Sequence, residues 1–312
     1  MSKIKFGWHM PSFAVDNSSS VTLVRQISNV LRRIQSTFDT AWMDDHVHPW
    51  ADFVSRDADV LECLTTIANL ATAFPQIRFG SMVICQSYRN PGLTAKMAAN
   101  LQLLTGGRFI LGLGAGWLEE EYLAYGYEFP KASVRIAQLD ETIQIVRKLW
   151  TQSPASFEGE YYHLRDAYCD PKPEPLPPIM VGGGGEKLTL GVVAKQADWW
   201  NFHQNSPDTY AHKLDALRAH CERVGRDYND IVKTYGVEVL AIAETEAEAR
   251  RIAEASPYQD NYPIIGTPNQ VAEQLRPYIE LGVEHIIIRC VDFPSTAGIE
   301  LFSQAVIPQL SS

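Results

Sequence analysis

The sequence predicts an α/β fold, a (β/α)8 barrel of the TIM type with insertion segments. Eight short, mostly β-branched stretches alternate with amphipathic helical stretches, a pattern typical of parallel strands joined by helical crossovers. Polar and glycine-rich residues gather where the predicted strands end, as they do around the active sites of such barrels. The first predicted strand leads into HMPSFAVD, without G-x-G-x-x-G, which disfavours the alternative of a doubly wound open sheet.

The first half of the predicted barrel consists of four strand–helix repeats. The strands are expected over residues 3–9, 40–45, 77–85 and 108–112, and the helices over 21–38, 58–74, 91–105 and 132–150. A serine-rich stretch can cap the first helix, and Pro91 suits a first helical turn, where its missing N–H costs nothing. Gly106 and Gly107 suit the left-handed conformation that commonly ends a helix.

The second half continues the alternation after a small insertion. Residues 157–164 alternate around a turn and predict a hairpin outside the repeat. Strands are expected over 179–181, 198–201, within 231–244 and over 284–290, with helices over 187–196, 207–224, 246–255 and 267–281. Residues 299–310 close the chain. No break in composition marks a second domain, so residues 1–312 are predicted to form a single domain.

The composition is that of a globular protein, with 46% hydrophobic and 21% charged residues. A net charge of −10 argues against nucleic-acid and anionic-membrane partners, because both require a basic surface. The chain shows no signal sequence and no apolar run approaching about 18 residues, so we expect a cytoplasmic protein without a membrane span. Five scattered cysteines without a C-x-x-C pair favour reduced thiols.

The segment TAWMDDHVHPW, residues 40–50, is the leading candidate for a functional site. Its apolar strand runs directly into Asp44, Asp45, His46, His48 and Trp50. His46 can exchange a proton near neutral pH, and Asp45 and Trp50 could orient and desolvate it. The H-x-H spacing also suits a metal, but the fourth and fifth strands end in glycine rather than in further ligands. We therefore predict acid–base chemistry and no metal.

Two glycine-rich loops follow the fourth and fifth predicted strands. Gly182–Gly185 precedes a helix, where free backbone N–H groups and the helix dipole favour an anion such as a phosphate; a flexible turn is the alternative. GLGAG lacks the βαβ context of a dinucleotide loop. It either gives a flat ligand room or serves packing, and the sequence leaves both open.

Several segments resemble the luciferase-like oxidoreductases, a family of flavin- and deazaflavin-dependent barrels. The segments, in the order and spacing of that family, are DDHVHPW, LGLGAGW-x4-Y, FEGEYYHL, PPIMVGGGGEKLTLGVVAKQADWWN, IGTPNQVAEQL and LGVEHIIIR. The resemblance covers nearly the whole chain. The arrangement of Asp45, His46, Pro49 and Trp50 is similar to that in dehydrogenases that use the deazaflavin coenzyme F420, such as those acting on glucose 6-phosphate.

The resemblance implies a role for each matching residue. His46 would be the proton donor or acceptor coupled to hydride transfer, and Trp50 would shield the substrate pocket. Asp45 would contact the pyrimidine edge of the ring, and a cis peptide bond between Met82 and Val83 would form a bulge behind the ring. The residues implied in cofactor binding are Asp45, Met82, Val83, Cys85, Trp117, Gly183, Gly184 and Gly185, the three glycines at the phosphate of the cofactor tail.

The sequence also departs from the sugar-phosphate dehydrogenases. Trp117 stands where they place a glutamate near the ring, and their basic residues for the substrate phosphate have no identifiable match, which disfavours glucose 6-phosphate. The expected substrate is a small alcohol, ketone, imine or activated alkene. An FMN-dependent monooxygenase on the same barrel and a metal-dependent barrel hydrolase are the alternatives. The family commonly forms dimers, so a homodimer is expected.

Overall fold

The computed structural model describes residues 4–16, 18–203 and 205–311. Within these residues eight parallel strands pair in sequence, and the last pairs with the first, which closes a barrel. The (β/α)8 prediction is therefore confirmed. The strands are β1 (Lys5–Met10), β2 (Thr40–Met43), β3 (Arg78–Ser81), β4 (Phe109–Gly114), β5 (Ile179–Gly182), β6 (Trp199–His203), β7 (Val232–Ile242) and β8 (His285–Cys290).

Helices cover the outside of the barrel because its strands are apolar on both faces. The helices are α1 (Ser20–Ile34), α2 (Cys63–Ala73), α3 (Pro91–Leu104), α4 (Glu119–Ala124), α5 (Ala132–Thr151), α6 (Thr189–Gln196), α7 (Pro207–Val224), α8 (Glu246–Ala255), α9 (Pro268–Glu280), α10 (Ala297–Leu301) and α11 (Ile307–Leu310). None of those in the described part of the chain is long and apolar enough to cross a membrane.

The insertion after α5 is an antiparallel hairpin, as the sequence predicts. Its strands are Ala155–Glu158 and His163–Ala167. Two further short strands extend the barrel sheet: Ile84–Cys85 pairs with β4, and Ile264–Gly266 pairs with β7. Large side chains fill the barrel interior, namely Trp42, Ile110, Met180 and Ile287, with Met82, Val83 and Trp199 packed against them.

Several boundaries differ from the predictions for local reasons. The helix expected from residue 58 begins at Cys63, because the Glu62 side chain accepts the N–H groups of Leu64 and Thr65 and caps it there. The strand expected over 77–85 is two strands, separated by a cis peptide bond between Met82 and Val83. Lys3, the first residue of the first predicted strand, lies outside the described residues.

Candidate active site

The predicted site segment lies at the carboxyl end of β2, where the strand stops at Met43. Asp44, Asp45 and His48 are buried, and His46 is half-buried. Buried ionised groups are tolerated only when they are paired. The partners of these side chains therefore show what each residue does.

His46 is held by Glu121, which projects from α4 in the loop after β4. The two side chains meet at 2.9 Å, between Nδ1 of His46 and Oε2 of Glu121. The other carboxylate oxygen accepts the N–H of Val47 at 2.7 Å, and the hydroxyl of Tyr88 donates to Oε2 at 2.6 Å. Glu121 thus fixes both the imidazole and the backbone beside it.

The charge of Glu121 determines which nitrogen of His46 carries the proton. Burial raises the pKa of Glu121, but the hydrogen bond with His46 and the charge of His46 lower it by more, so the pKa of Glu121 is lowered overall. An ionised carboxylate only accepts hydrogen bonds, and Nδ1 of His46 must therefore donate. This leaves Nε2 of His46 as the nitrogen that can exchange a proton with a bound substrate.

The pKa of His46 is raised above its ordinary value. Burial lowers this pKa, whereas the hydrogen bond with Glu121 and the charges of three nearby carboxylates raise it by more. The three carboxylates belong to Asp44, Glu121 and Asp45. His46 therefore keeps its second proton to a higher pH than an exposed histidine does.

Two indole rings flank the imidazole of His46. The ring centroids of Trp50 and Trp117 lie 6.3 Å and 5.9 Å from that of His46. Trp50 also packs against Phe13 and Tyr258. Trp117 is 61% exposed, so its ring can cover a ligand at the mouth of the barrel. The structure brings three of the predicted site residues together here: His46, Trp50 and Trp117.

Asp45 has a different setting from the one expected. Its two oxygens accept a bidentate pair of hydrogen bonds from Arg89 at 2.7 Å each, and one also accepts the N–H of Cys85 at 3.1 Å. The expectation that Asp45 orients His46 is wrong, because Glu121 occupies the orienting position. Contact of Asp45 with a cofactor ring stays a prediction.

A second cluster of buried charges, which we call the floor cluster, consists of His9, Asp44, Glu238 and Arg289. Nε2 of His9 lies 2.8 Å from Asp44, and Nε of Arg289 donates to Glu238 at 3.1 Å. The guanidinium of Arg289 also contacts the His9 ring and lies beneath the ring of Tyr258. The cluster joins the carboxyl ends of β1 and β2 to residues of β7 and β8.

Opposite charges balance within the floor cluster. Burial raises the pKa of Glu238, but His9 and Arg289 lower it far more, so this carboxyl is ionised at any pH near neutral. Burial and the charge of Arg289 lower the pKa of His9, yet Asp44 and Glu238 leave it raised overall. Two cations therefore face two anions when His9 is protonated.

Sequence analysis did not single out Glu238, although a lone acid inside the apolar run TYGVEVLAI is a usable signal.

The glycines at the end of β4 and just after it are explained by packing. A Cβ at Gly112 would overlap the carbonyl oxygen of Ser81, and one at Gly114 would meet the side chain of Val83. One at Gly116, where φ is +78°, would overlap the hydroxyl of Tyr122. The cis bond between Met82 and Val83, which the family resemblance predicts, is confirmed. The side chain of Val83 packs against Gly114 of β4 and Gly182 of β5, where an added Cβ would be too close to it.

The glycines after β5 leave backbone donors open. Gly183 has φ +124°, a conformation that side chains rarely adopt. The N–H groups of Gly184 and Gly185 donate to no acceptor within residues 4–16, 18–203 and 205–311. The following helix begins at Thr189 rather than at residue 187. Binding of a phosphate by Gly183–Gly185 stays a prediction.

Other candidate residues have structural settings. His48 is buried, with Nδ1 2.9 Å from the carbonyl oxygen of Pro49, and its ring stacks on that of Tyr125. Cys85 is buried and its Sγ lies 2.9 Å from the hydroxyl of Tyr122. All five cysteines are free and buried. No group of three or more potential ligands in the described ranges is arranged to hold a metal ion.

Known proteins resemble the chain over most of its length. A family model described as luciferase-like monooxygenase matches residues 4–263. An F420-dependent glucose-6-phosphate dehydrogenase of Kineococcus radiotolerans is 27% identical, over 87% of this chain and 88% of the relative. An FMNH(2)-dependent dimethylsulfone monooxygenase of Pseudomonas putida is also 27% identical, over 70% of each chain.

Solved structures share the fold. An F420-dependent secondary alcohol dehydrogenase in complex with an F420-acetone adduct superimposes with a TM-score of 0.81 at 19% identity, covering 99% of this chain and 100% of that one. The family match spans most of the residues that build the barrel and its carboxyl-end loops. The chain therefore belongs to the luciferase-like monooxygenase family and is an oxidoreductase.

Proposed function

We propose that this protein is an F420-dependent oxidoreductase acting on a small alcohol or ketone. The observation that carries the proposal is the pairing of His46 with Glu121, which leaves Nε2 of His46 open at the mouth of the barrel. Coenzyme F420, when bound, supplies the two-electron hydride chemistry. The F420-dependent dehydrogenases among the relatives support this choice of cofactor.

The residues at the carboxyl end fit such a cofactor. The open N–H groups of Gly184 and Gly185 suit a phosphate of its tail. The bulge at Met82 and Val83 lies between β3 and β4 at the same end of the barrel. Trp117 offers an exposed aromatic surface beside His46, which suits a planar ring.

Four side chains around the substrate would have different roles. Nε2 of His46 takes the hydroxyl proton of an alcohol or gives a proton to the oxygen of a ketone. Glu121 keeps the proton on Nδ1 and stabilises the protonated imidazole through their hydrogen bond. Trp50 and Trp117 exclude water from the space around the imidazole.

The floor cluster disfavours a phosphorylated substrate. The guanidinium of Arg289 lies 5.7 Å from the centre of the Trp50 ring, but Glu238 binds it and Asp44 lies 3.6 Å from it. A buried cation already matched by carboxylates offers little to a further dianion. We therefore propose an uncharged alcohol or ketone as the substrate, and not the glucose 6-phosphate named for several relatives.

Cofactor titration followed by turnover tests the proposal. Purified apoprotein should bind F420 with submicromolar affinity and bind FMN more weakly. The loaded enzyme should then oxidise 2-propanol or cyclohexanol faster than glucose 6-phosphate, as followed by cofactor absorbance. Tight FMN binding without measurable F420 binding would instead support the second candidate, an FMN-dependent monooxygenase, which the Pseudomonas relative favours.

Replacement of His46 separates catalysis from binding. His46→Ala should lower turnover about 10²–10⁴-fold, the usual contribution of a general acid or base, with little change in F420 affinity. His48→Ala is the matched control, because this neighbouring imidazole bonds only to the carbonyl of Pro49 among the described residues. Equal losses of turnover in both variants would contradict the assigned role of His46.

A further inference from the structure

A cavity lies at the amino end of the barrel, opposite the candidate active site. Its volume is about 570 Å³, within the range of about 300–1,000 Å³ that is usual for small-molecule sites. The loop between α1 and β2, residues 35–39, forms one wall. The first residue of each of six strands forms much of the rest: Lys5, Thr40, Arg78, Trp199, Val232 and His285.

Arg78 brings an uncompensated positive charge to this cavity. Its guanidinium stands 5.5 Å over the ring of Trp199 and, within the described residues, has no hydrogen bond or ion pair. Asp39 acts on it only at longer range, because the Asp39 carboxylate accepts from Lys5 at 2.7 Å and from the N–H of Phe6 at 3.1 Å. Arg78 is half-buried, so water screens its charge less than that of an exposed arginine.

The other acid at the cavity is also paired. Glu284 lies 3.0 Å from Nζ of Lys233, whose side chain is almost fully buried. The charges of Lys5 with Asp39, and of Lys233 with Glu284, therefore cancel in pairs. Arg78 is left as the net charge of the cavity, which favours one negative charge and not two.

A neutral histidine forms part of the cavity lining. Burial and the nearby charges of Arg78 and Lys5 lower the pKa of His285 to about 3, so its ring is uncharged at neutral pH. Nε1 of Trp42 donates to Oγ1 of Thr40 at 2.6 Å, and that hydroxyl lies 2.8 Å from Nε2 of His285. The hydroxyl hydrogen has no other acceptor among the described residues, so we assign it to Nε2. The proton of His285 is then on Nδ1.

We propose that this cavity binds a small organic monocarboxylate. A carboxylate matches the planar fork of the Arg78 guanidinium through two parallel hydrogen bonds. The apolar body of the ligand would pack against Trp199 and Phe38, which line the same space. The site uses no residue of the candidate active site and lies at the opposite end of the barrel.

Calorimetric titration with benzoate as the probe tests this site. Benzoate should bind the wild-type protein, and Arg78→Gln should weaken binding at least about tenfold, as expected when a charge-assisted hydrogen-bond pair is removed. Arg25→Gln removes the same charge from an exposed position of α1 and should bind benzoate like the wild type. Arg78→Lys should restore part of the affinity, because it keeps the charge without the fork.

Three results would overturn the proposal. They are no benzoate binding by the wild type, equal affinities in the wild type and Arg78→Gln, and inorganic phosphate binding more tightly than benzoate. Thermal unfolding of each variant verifies that the comparison is between folded proteins. F420 binding should be unchanged in Arg78→Gln, so failure of this site and failure of the proposed function are told apart.

Discussion

At the scale of single residues, a 2.9 Å hydrogen bond joins His46 to Glu121. The carboxylate orients the imidazole, fixes its tautomer and raises its pKa. Tyr88 donates to the same carboxylate and so helps to keep it in place. The pKa of His46 therefore depends on a residue 75 positions away in the chain.

Glu121→Gln should shift the pH dependence of the reaction. Alcohol oxidation needs unprotonated Nε2, so its rate should rise as the pH increases through the pKa of His46. Ketone reduction needs the proton on Nε2, so its rate should fall over the same pH range. Glu121 raises that pKa, and its replacement by glutamine should move both limbs to lower pH. Rates measured from pH 5 to 9 give the shift. Glu119→Gln, an exposed position of the same helix, should leave both limbs unchanged.

Sequence analysis identified His46 but not its partner, for a geometrical reason. Glu119, Glu120 and Glu121 are consecutive and chemically identical, and only the docking of α4 buries the third of them. The composition of a charged run does not show which member points inward. His46, in contrast, directly follows a buried strand, where the end of the strand itself predicts the position of the side chain.

At the scale of elements, the contact between β3 and β4 depends on Gly112. The hydroxyl of Ser81 donates to the carbonyl of Gly112 and accepts its N–H, both at 2.9 Å. The side chain thus replaces ladder hydrogen bonds where the chain turns away into the Met82–Val83 bulge. This close approach leaves no room for a Cβ on β4.

Gly112→Ala should destabilise the protein by about 1–3 kcal/mol or more, because the added carbon would overlap the backbone oxygen of Ser81. Urea-induced unfolding gives the change in free energy. Gly191→Ala is the control: its Cβ would lie 3.5 Å from His220, an ordinary contact, and alanine favours the helix by up to about 1 kcal/mol. Equal stability of the two variants would contradict the packing argument.

Helix bounds were most predictable where the chain carries explicit end signals. The helix predicted over 207–224 has those bounds in the structure, because Ser206 caps it, Pro207 starts it and Gly225 ends it in the left-handed region. The strand segment IRFGSMVIC, in contrast, carries no signal that would show where its first strand ends. Its apolar pattern continues through residues 82 and 83, so only the family resemblance indicated the interruption.

At the scale of the whole molecule, the floor cluster ties the two ends of the barrel sheet together. His9 and Arg289 are 280 residues apart in the chain and lie in the neighbouring strands β1 and β8. Glu238 connects β7 to this pair through Arg289, and Asp44 connects the end of β2 to it through His9. His9 and Asp44 form one ion pair and Arg289 and Glu238 another, and the pairing of β1 with β8 brings these two pairs together.

Acid should weaken the protein through Glu238. Its pKa is lowered on folding from an ordinary 4.5, so its contribution to stability is present above that value and is lost as the pH falls toward the lowered pKa. Glu238→Gln should cost about 3–5 kcal/mol at neutral pH and flatten the acid limb, because Arg289 loses its hydrogen-bonded carboxylate. Thermal unfolding between pH 3 and 7 measures both effects.

The control for this experiment is Glu300→Gln, which removes a surface ion pair with Arg33 at 2.9 Å. Exposed pairs contribute about 0–1 kcal/mol, so this variant should resemble the wild type across the same pH range. An unchanged acid limb in Glu238→Gln would show that other carboxyl groups govern acid unfolding.

The barrel itself was predictable because closure follows from eight alternating elements, whatever their individual boundaries. The floor cluster was not, because pairing of charges across β1, β7 and β8 depends on strand register. His9 and Arg289 were visible as polar residues at strand ends. The strand ends alone do not show that Glu238 and Asp44 surround the guanidinium of Arg289, and that these carboxylates leave it little affinity for a phosphate.

Glu121 holds the ring of His46 and the amide of Val47 with one carboxylate, from a helix that belongs to another loop. Proton affinity and loop position are therefore thermodynamically linked. If docking of α4 raises the proton affinity of His46, then protonation of His46 must stabilise the docked helix by the same free energy. Alcohol oxidation would leave a proton on His46 and so stabilise the docked position of α4, and release of that proton would remove this stabilisation.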